Sequence, residues 1–199
     1  MTAPTLSTVL RPASRGLTLL YDAATVAVSS IAIALSGQIA IPLWFTPVPV
    51  TLQTLAVLLV GASLGWRKGS LAVILFLAEG AAGLPVFSAW GSGIAHLVGP
   101  TGGYLTGFLV AAALTGFLAE RGWDRTPARA ALAMFFGNVA IYLVGLSWLA
   151  AFVGLERAPA LGLYPFVVGD CLKIAVATGA LPLAWRILSR TTAGRSPSP

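Results

Sequence analysis

Long apolar runs alternate with short segments of proline, glycine or charged residues along almost the whole chain. Runs of this kind predict helices that cross a bilayer, because a spanning helix needs about 20 mostly apolar residues. Six such runs occupy residues 20–41, 50–64, 70–83, 102–119, 130–153 and 164–187. We therefore predict an all-α integral membrane protein with six transmembrane helices.

The overall composition agrees with a membrane protein. Hydrophobic residues make up 57% of the chain and charged residues 9%, whereas a typical soluble domain has about 25% charged residues. The formal net charge of +6 could suggest a nucleic-acid partner. The basic residues are scattered between apolar runs without a dense basic tract, so we exclude nucleic acid binding.

The distribution of lysine and arginine predicts the orientation, since cytoplasmic loops are enriched in both. If the six runs alternate across the bilayer, one side holds only Arg157 and Lys173 lies within a span. The opposite side holds Arg11, Arg15, Arg67, Lys68, Arg121, Arg125, Arg129, Arg186, Arg190 and Arg195. We therefore expect both termini to be cytoplasmic, in a multi-pass protein of a bacterial inner membrane.

This pattern divides the chain into three parts. Residues 1–19 form a cytoplasmic N-terminal segment, and residues 20–188 form one membrane domain. Residues 189–199 are rich in serine, proline and small residues, and we expect a disordered cytoplasmic tail.

The second and third apolar runs are too short to cross the bilayer alone. About 15 helical residues reach roughly 22 Å, against about 30 Å of hydrocarbon. Their cytoplasmic ends are fixed at the turn that contains Arg67 and Lys68. Because irregular backbone at that depth must be buried in protein or line a cavity, we expect the outer loops to fold around a ligand pocket that opens to the outside.

The last apolar run contains two opposite charges, Asp170 and Lys173. Residues three apart share one face of a helix and can reach each other. Ionisable residues inside a membrane span are costly and usually mark a functional site. We interpret the pair as a polar binding site, and a self-neutralised pair that fixes helix packing is the alternative.

Three further residues are candidates for the same site. Glu79 lies at a similar depth in the third run, and its alternative roles are a partner of Lys173 or a protonated structural carboxyl. Tyr104 and Trp90 offer amphipathic rings near the outer face, where anchoring at the membrane interface is the alternative. The single histidine, His96, lacks nearby carboxylate or thiol ligands in the sequence, so we predict no metal site.

No catalytic or cofactor motif is visible in the sequence. The run GPTGGY at residues 99–104 lacks the Lys-Ser/Thr pair of a phosphate loop, and there is no HExxH or CxxC pattern. We therefore predict a protein that is not an enzyme and needs no cofactor. In the first apolar run, Ala23 and Ala27 form a small-xxx-small pair that would let a partner helix approach closely.

Four blocks of the sequence resemble the BioY family. They are TPVPVTLQTL at 46–55, GLPVF at 83–87, GPTGGYLTGF at 99–108 and PFVVGDCLK at 165–173. The blocks occur in the order that the family shows, and the resemblance covers residues 20–188. Members of that family are the biotin-binding membrane subunits, or S components, of energy-coupling factor (ECF) transporters.

The resemblance implies six membrane helices, with biotin bound near the outer surface under the loop between the first two. It places the Asp-x-x-Lys motif of the family on Asp170 and Lys173, as biotin contacts. It also places the contact with the transmembrane coupling protein on Ala23 and Ala27, and that coupling protein binds two ABC ATPases. No family motif covers Glu79, Trp90 or Tyr104 as ligand contacts.

We therefore expect a membrane subunit that captures biotin from outside and delivers it inward with an ATP-driven coupling complex. Three alternatives stay open at this point. The chain could be a self-sufficient biotin carrier, as a monomer or a dimer, or an S component for another vitamin. It could also be an intramembrane enzyme that uses Glu79, Asp170 and Lys173 as acid and base.

Overall fold

The computed structural model describes residues 3–193, with side chains up to residue 190, and this part of the chain is mainly helical. A short helix α1 (Leu6–Val9) precedes the long helix α2 (Arg15–Gln38). Two short strands, β1 (Ala40–Ile41) and β2 (Val50–Thr51), pair antiparallel with Ala40 opposite Thr51. They form the neck of the loop between α2 and the next helix.

Two shorter helices follow, α3 (Gln53–Leu64) and α4 (Trp66–Ala81). Gly65 alone separates them, with φ of +83°, a backbone conformation that favours glycine. A 3-10 turn (Ser88–Trp90) and a short helix α5 (Ile94–Val98) occupy the next connection. The remaining helices are α6 (Gly102–Ala119), α7 (Pro127–Val153), α8 (Ala158–Gly162) and α9 (Tyr164–Ala193).

Helix α6 lies at the centre and packs against α3, α4 and α7. Its small residues permit close backbone contact, as helices in lipid require. A Cβ atom on Gly116 would lie 2.4 Å from the backbone nitrogen of Trp66, and one on Gly107 would lie 3.0 Å from the Cα atom of Ile141. Helix α2 is peripheral, and only 17% of its most apolar window is buried, against 61% for α6.

Within residues 3–193, four helical stretches are long and apolar enough to cross a membrane. They are Arg15–Gln38, Gly102–Ala119, Pro127–Val153 and Ala158–Arg190. The helices α3 and α4, with 12 and 16 residues, are as short as the sequence predicted. The prediction of six spans therefore stays a prediction for these two helices, which are helical but too short by length alone.

Several helices begin or end at other residues than the apolar runs do. An apolar run marks the part of a helix that is suited to hydrocarbon, and the helix itself can extend beyond that part. Helix α2 begins at Arg15 instead of residue 20, and α4 begins at Trp66 instead of residue 70. Helix α9 continues to Ala193, so residues 189–193 of the expected disordered tail are helical. Residues 194–199 of that tail lie outside the described residues.

Candidate ligand-binding site

A cavity lies between helices α3, α6, α7 and α9, and the loops at one end of these helices cover it. It encloses about 540 Å³ of space free of protein atoms, counting the part that is open to solvent. Its walls are mostly apolar, with a few polar groups. The lining residues are Val48, Pro49, Thr51, Gln53, Thr54, Ser88, His96, Thr101, Tyr104, Leu105, Phe108, Ile141, Tyr142, Phe166, Asp170 and Lys173.

The two charges of α9 meet in this cavity. The ammonium group of Lys173 donates to Oδ1 of Asp170 at 2.8 Å, and the two residues are 8% and 5% exposed. The sequence prediction that they share a helix face and pair is confirmed. Both residues also line the cavity. A binding role therefore stays a prediction, beside the alternative of a self-neutralised pair that fixes helix packing.

Two neighbouring helices extend the ion pair into a network of four side chains. From α3, the Thr54 hydroxyl accepts a hydrogen bond from Lys173 Nζ at 2.9 Å. From α7, the Tyr142 hydroxyl donates to Oδ2 of Asp170. The network has no net charge when both ions are formed, and it holds the ends of the two charged side chains in fixed positions.

Sequence reasoning missed Thr54 and Tyr142. Thr54 lies within the block at 46–55 that carries the family resemblance, and Tyr142 is one of a few residues with a polar group in a long apolar run. These two sequence features could have identified Thr54 and Tyr142 as candidates. Each feature is weak evidence, because threonine and tyrosine are common in membrane helices for packing and interface anchoring.

Tyr104 lines the cavity, as the sequence suggested. Its hydroxyl donates to the carbonyl oxygen of Gly162 at 2.8 Å, and its ring packs edge-to-face on Tyr142 at 6.4 Å between centroids. Tyr104 therefore packs against Tyr142 and forms part of the cavity wall, while its hydroxyl is already hydrogen-bonded to Gly162.

Glu79 and Trp90 lie elsewhere, so the expectation that Glu79 joins Asp170 in one cavity is wrong. They line a separate cavity between α2, α4 and the following loop, together with Gln38. Ser30 donates to Oε2 of Glu79 at 2.6 Å, and the backbone nitrogen of Trp90 donates to Gln38 Oε1 at 2.9 Å. Glu79 thus pairs with a serine rather than with Lys173.

The loops cover the cavity as expected from the short second and third apolar runs. The Thr46 hydroxyl donates to the carbonyl oxygen of Leu161 at 2.7 Å and fixes the first loop over the helices. Val48 in this loop is buried. The second loop contributes Ser88 and His96, neither of which the sequence singled out as a ligand contact.

The proposed partner-binding residues, Ala23 and Ala27, lie on α2, which contributes no residue to the lining of the ligand cavity. Ala23 is exposed and Ala27 is partly exposed on the peripheral helix α2. The neighbouring face of α2 is largely apolar, with Leu19, Leu20 and Val28 exposed. This surface is available to lipid or to a partner helix.

The sequence is similar to one family of known proteins. The profile of the BioY family matches residues 8–190. A probable biotin transporter BioY of Pyrococcus horikoshii is 44% identical over 131 residues, covering 66% of this chain and 76% of that protein. The biotin transporter BioY of Rhodobacter capsulatus is 40% identical over 184 residues, covering 85% of this chain and 91% of that protein.

A solved structure has the same fold. The crystal structure of the S-component for biotin from an ECF-type ABC transporter superposes with a TM-score of 0.75 at 26% identity, covering 87% of this chain and 95% of that one. The family profile covers nearly the whole sequence. The chain therefore belongs to the BioY family.

Proposed function

We propose that this chain is the biotin-binding membrane subunit, or S component, of an ECF-type vitamin importer. It captures biotin from outside the cell and delivers it inward with an ATP-driven coupling complex. The relatives named biotin transporter and the solved biotin S-component support this function. The observation that carries it in this chain is the four-residue network of Asp170, Lys173, Thr54 and Tyr142 within an apolar cavity.

The chemistry of that network suits the ureido group of biotin, which is neutral and carries two N–H donors and one carbonyl acceptor. The carboxylate of Asp170 can accept from the ureido N–H groups, and the ammonium of Lys173 can donate to the ureido carbonyl. Phe108 and Phe166 supply apolar wall for the sulfur-containing ring and the hydrocarbon chain. A mostly apolar pocket with a few placed polar groups is the usual design of such sites.

The proposal includes the orientation of the protein in the membrane. We infer six membrane helices, with both termini in the cytoplasm of a bacterial cell and the cavity open to the outside. Arg11, Arg67, Lys68 and Glu120 cluster around one end of the helices. The cavity loops connect the opposite ends, and this separation agrees with the excess of basic residues on cytoplasmic surfaces.

The solved biotin S-component of an ECF-type ABC transporter supports the proposed partners. The small residues Ala23, which is exposed, and Ala27, which is partly exposed, would contact the transmembrane coupling protein, which carries the ABC ATPases of the ECF module. A small-xxx-small surface allows close helix approach.

Titration of the purified protein in lipid nanodiscs tests the binding function. We expect saturable, tight binding of biotin, weaker binding of desthiobiotin, and none of thiamine or riboflavin at the same concentrations. Preference for another vitamin, or no saturable biotin binding, would contradict the proposal.

Biotin uptake by cells with and without the coupling protein and ATPases tests whether transport depends on the ECF module. We expect uptake only with the module, whereas equal uptake without it indicates a self-sufficient carrier.

A further inference from the structure

His96 lies where the ligand cavity meets a second, outer cavity. Both cavities are lined by Pro49, Ser88, His96 and Thr101, and the outer one is otherwise lined by the loops at residues 42–47 and 89–100. The space available to a ligand therefore runs from the Asp170–Lys173 pair to His96 and onward to the loops. An elongated ligand with a polar group at each end fits this arrangement.

The position of His96 is well defined by its neighbours. Its backbone nitrogen donates to the carbonyl oxygen of Gly93 at 3.2 Å, and its ring stacks on Phe87 with centroids 5.0 Å apart. Gly91 makes room for the ring, because a Cβ atom there would lie 2.7 Å from Nδ1 of His96. The imidazole is thus held by packing at the junction.

The charges around the cavity favour separate binding positions for the carboxylate and the ureido group of biotin. The negative Asp170 already neutralises Lys173, so this pair offers no net attraction to an anion. Among the described residues that line either cavity, His96 is the remaining group that can become a cation. Hydrogen bonds between a cationic donor and a carboxylate are roughly twice as strong as neutral ones.

The other titratable groups on the elements around His96 are accounted for. Helices α6 and α7 contribute Tyr104 and Tyr142, which are neutral at physiological pH by their type. Glu79 on α4 belongs to the separate cavity and bonds to Ser30. The first loop, residues 42–49, contains no titratable side chain, and in the described part of the chain no carboxylate forms an ion pair with His96.

We propose that His96 binds the carboxylate of biotin and takes up a proton from solvent as it does so, while the ureido group lies at Asp170 and Lys173. This inference rests on the proposed function, which it extends by assigning the second end of the ligand. Ser88 and Thr101 offer hydroxyl donors beside the same group. Lys173 is then a ureido contact and not the carboxylate contact.

The inference has a pH signature with a definite sign. Burial lowers the pKa of His96 below its ordinary value of 6.5, so the imidazole is neutral in the empty protein at pH 7. A carboxylate beside it favours the charged form and raises that pKa in the complex. The affinity for biotin is therefore higher at low pH and falls as the pH rises, while the ligand carboxylate, with a pKa near the roughly 4.3 of a glutamate side chain, stays ionised above pH 5.5.

Calorimetric titration of the wild-type protein with biotin and with biotinamide at pH 5.5, 7.0 and 8.0 tests this. Biotinamide has the same length and ureido group but no charge. We expect the biotin affinity to fall about tenfold across this range and the biotinamide affinity to stay constant. In buffers of different ionisation enthalpy, biotin binding at pH 7.0 should take up protons, and biotinamide binding should not.

Three variants locate the effect. H96Q should remove the pH dependence and proton uptake and lower biotin affinity about tenfold with little change for biotinamide. G91A, which displaces the ring, should act in the same direction. K173M should weaken both ligands alike. If H96Q keeps the pH dependence, or K173M selectively weakens biotin, the assignment of the carboxylate to His96 is overturned; absence of any biotin binding to the wild type would instead overturn the proposed function.

Discussion

The hydroxyl of Tyr142 donates a hydrogen bond to the carboxylate of Asp170, and it thereby joins α7 to the helix that carries the ion pair. Asp170 Oδ1 accepts from Lys173, so Tyr142 engages the oxygen that the ion pair leaves free. The orientation of the carboxylate in the cavity is therefore set by two helices rather than by α9 alone.

Replacing Tyr142 by phenylalanine should weaken biotin binding without unfolding the protein. A hydrogen bond to a charged group is worth about 1.5–3 kcal/mol, or roughly tenfold to hundredfold in Kd. The ring contact with Tyr104 is retained in Tyr142→Phe. Calorimetry on both Tyr142→Phe and Tyr104→Phe provides the comparison, because the Tyr104 hydroxyl donates to the carbonyl oxygen of Gly162 in α8 instead. Equal losses in the two variants would argue against a specific role of Tyr142.

Replacing Glu79 by glutamine, or Trp90 by leucine, should leave biotin affinity within about threefold of wild type, a change of less than 1 kcal/mol. Both residues line the separate cavity, and the glutamine carbonyl can still accept the hydrogen bond of Ser30. Biotin titration of each variant checks this. A loss of biotin affinity greater than tenfold in either variant would mean that the cavity at Glu79 and the cavity at Asp170 act as one site.

Replacing Ala23 by tryptophan should abolish biotin uptake while leaving biotin binding intact. The bulky ring would block close approach of a partner helix, whereas Ala23 is exposed and makes no core contact. The matched control is Ala24→Trp, which is also exposed but turned about 100° around the helix. Uptake is measured in cells that contain the coupling module, and normal uptake by Ala23→Trp would place the partner surface elsewhere.

Asp124 should make stability depend on pH. It is fully buried in the connection between α6 and α7, where Trp185 Nε1 donates to it at 2.6 Å. Burial raises the pKa of Asp124, against the lowering effects of the Trp185 hydrogen bond and of Arg125. Since the folded-state pKa exceeds the unfolded one of about 3.8, the contribution to stability is present at low pH and is lost as the pH rises through the folded-state value.

The unfolding midpoint of wild type relative to Asp124→Asn should therefore decrease as the pH is raised from 4 towards neutrality. Subtracting the variant removes the titration of all other groups. Thermal unfolding in detergent at a series of pH values measures the difference. A difference that is constant, or that increases with pH, would contradict the assigned direction.

The sequence predicts where some helices begin and end better than it predicts the direction in which their side chains point. The bounds of α6 agree with the apolar run at 102–119, and the spacing of Asp170 and Lys173 correctly predicted a shared helix face. A similar depth along the helices predicts that Glu79 lies beside them, but it lines a separate cavity. The rotation of α4 depends on its packing against α2 and α6, which no local pattern contains, and that rotation turns Glu79 towards Ser30.

The missed residues have a related cause. Thr54 reaches Lys173 only because the first loop and the short helix α3 place its hydroxyl level with the last helix. His96 looked like an isolated histidine because its cavity neighbours come from distant segments of the chain. Contacts of this kind require the tertiary structure.

The central claim is that Asp170 and Lys173 are kept in the membrane to bind the ureido group of a small ligand. The most direct test is biotin titration of wild type, Asp170→Asn and Lys173→Met, each first shown to be folded by size-exclusion chromatography and thermal unfolding. We predict that both variants fold, with reduced stability because one buried charge loses its partner, and that both lose at least hundredfold in biotin affinity. Wild-type affinity in both folded variants would remove the pair from the site and contradict the account.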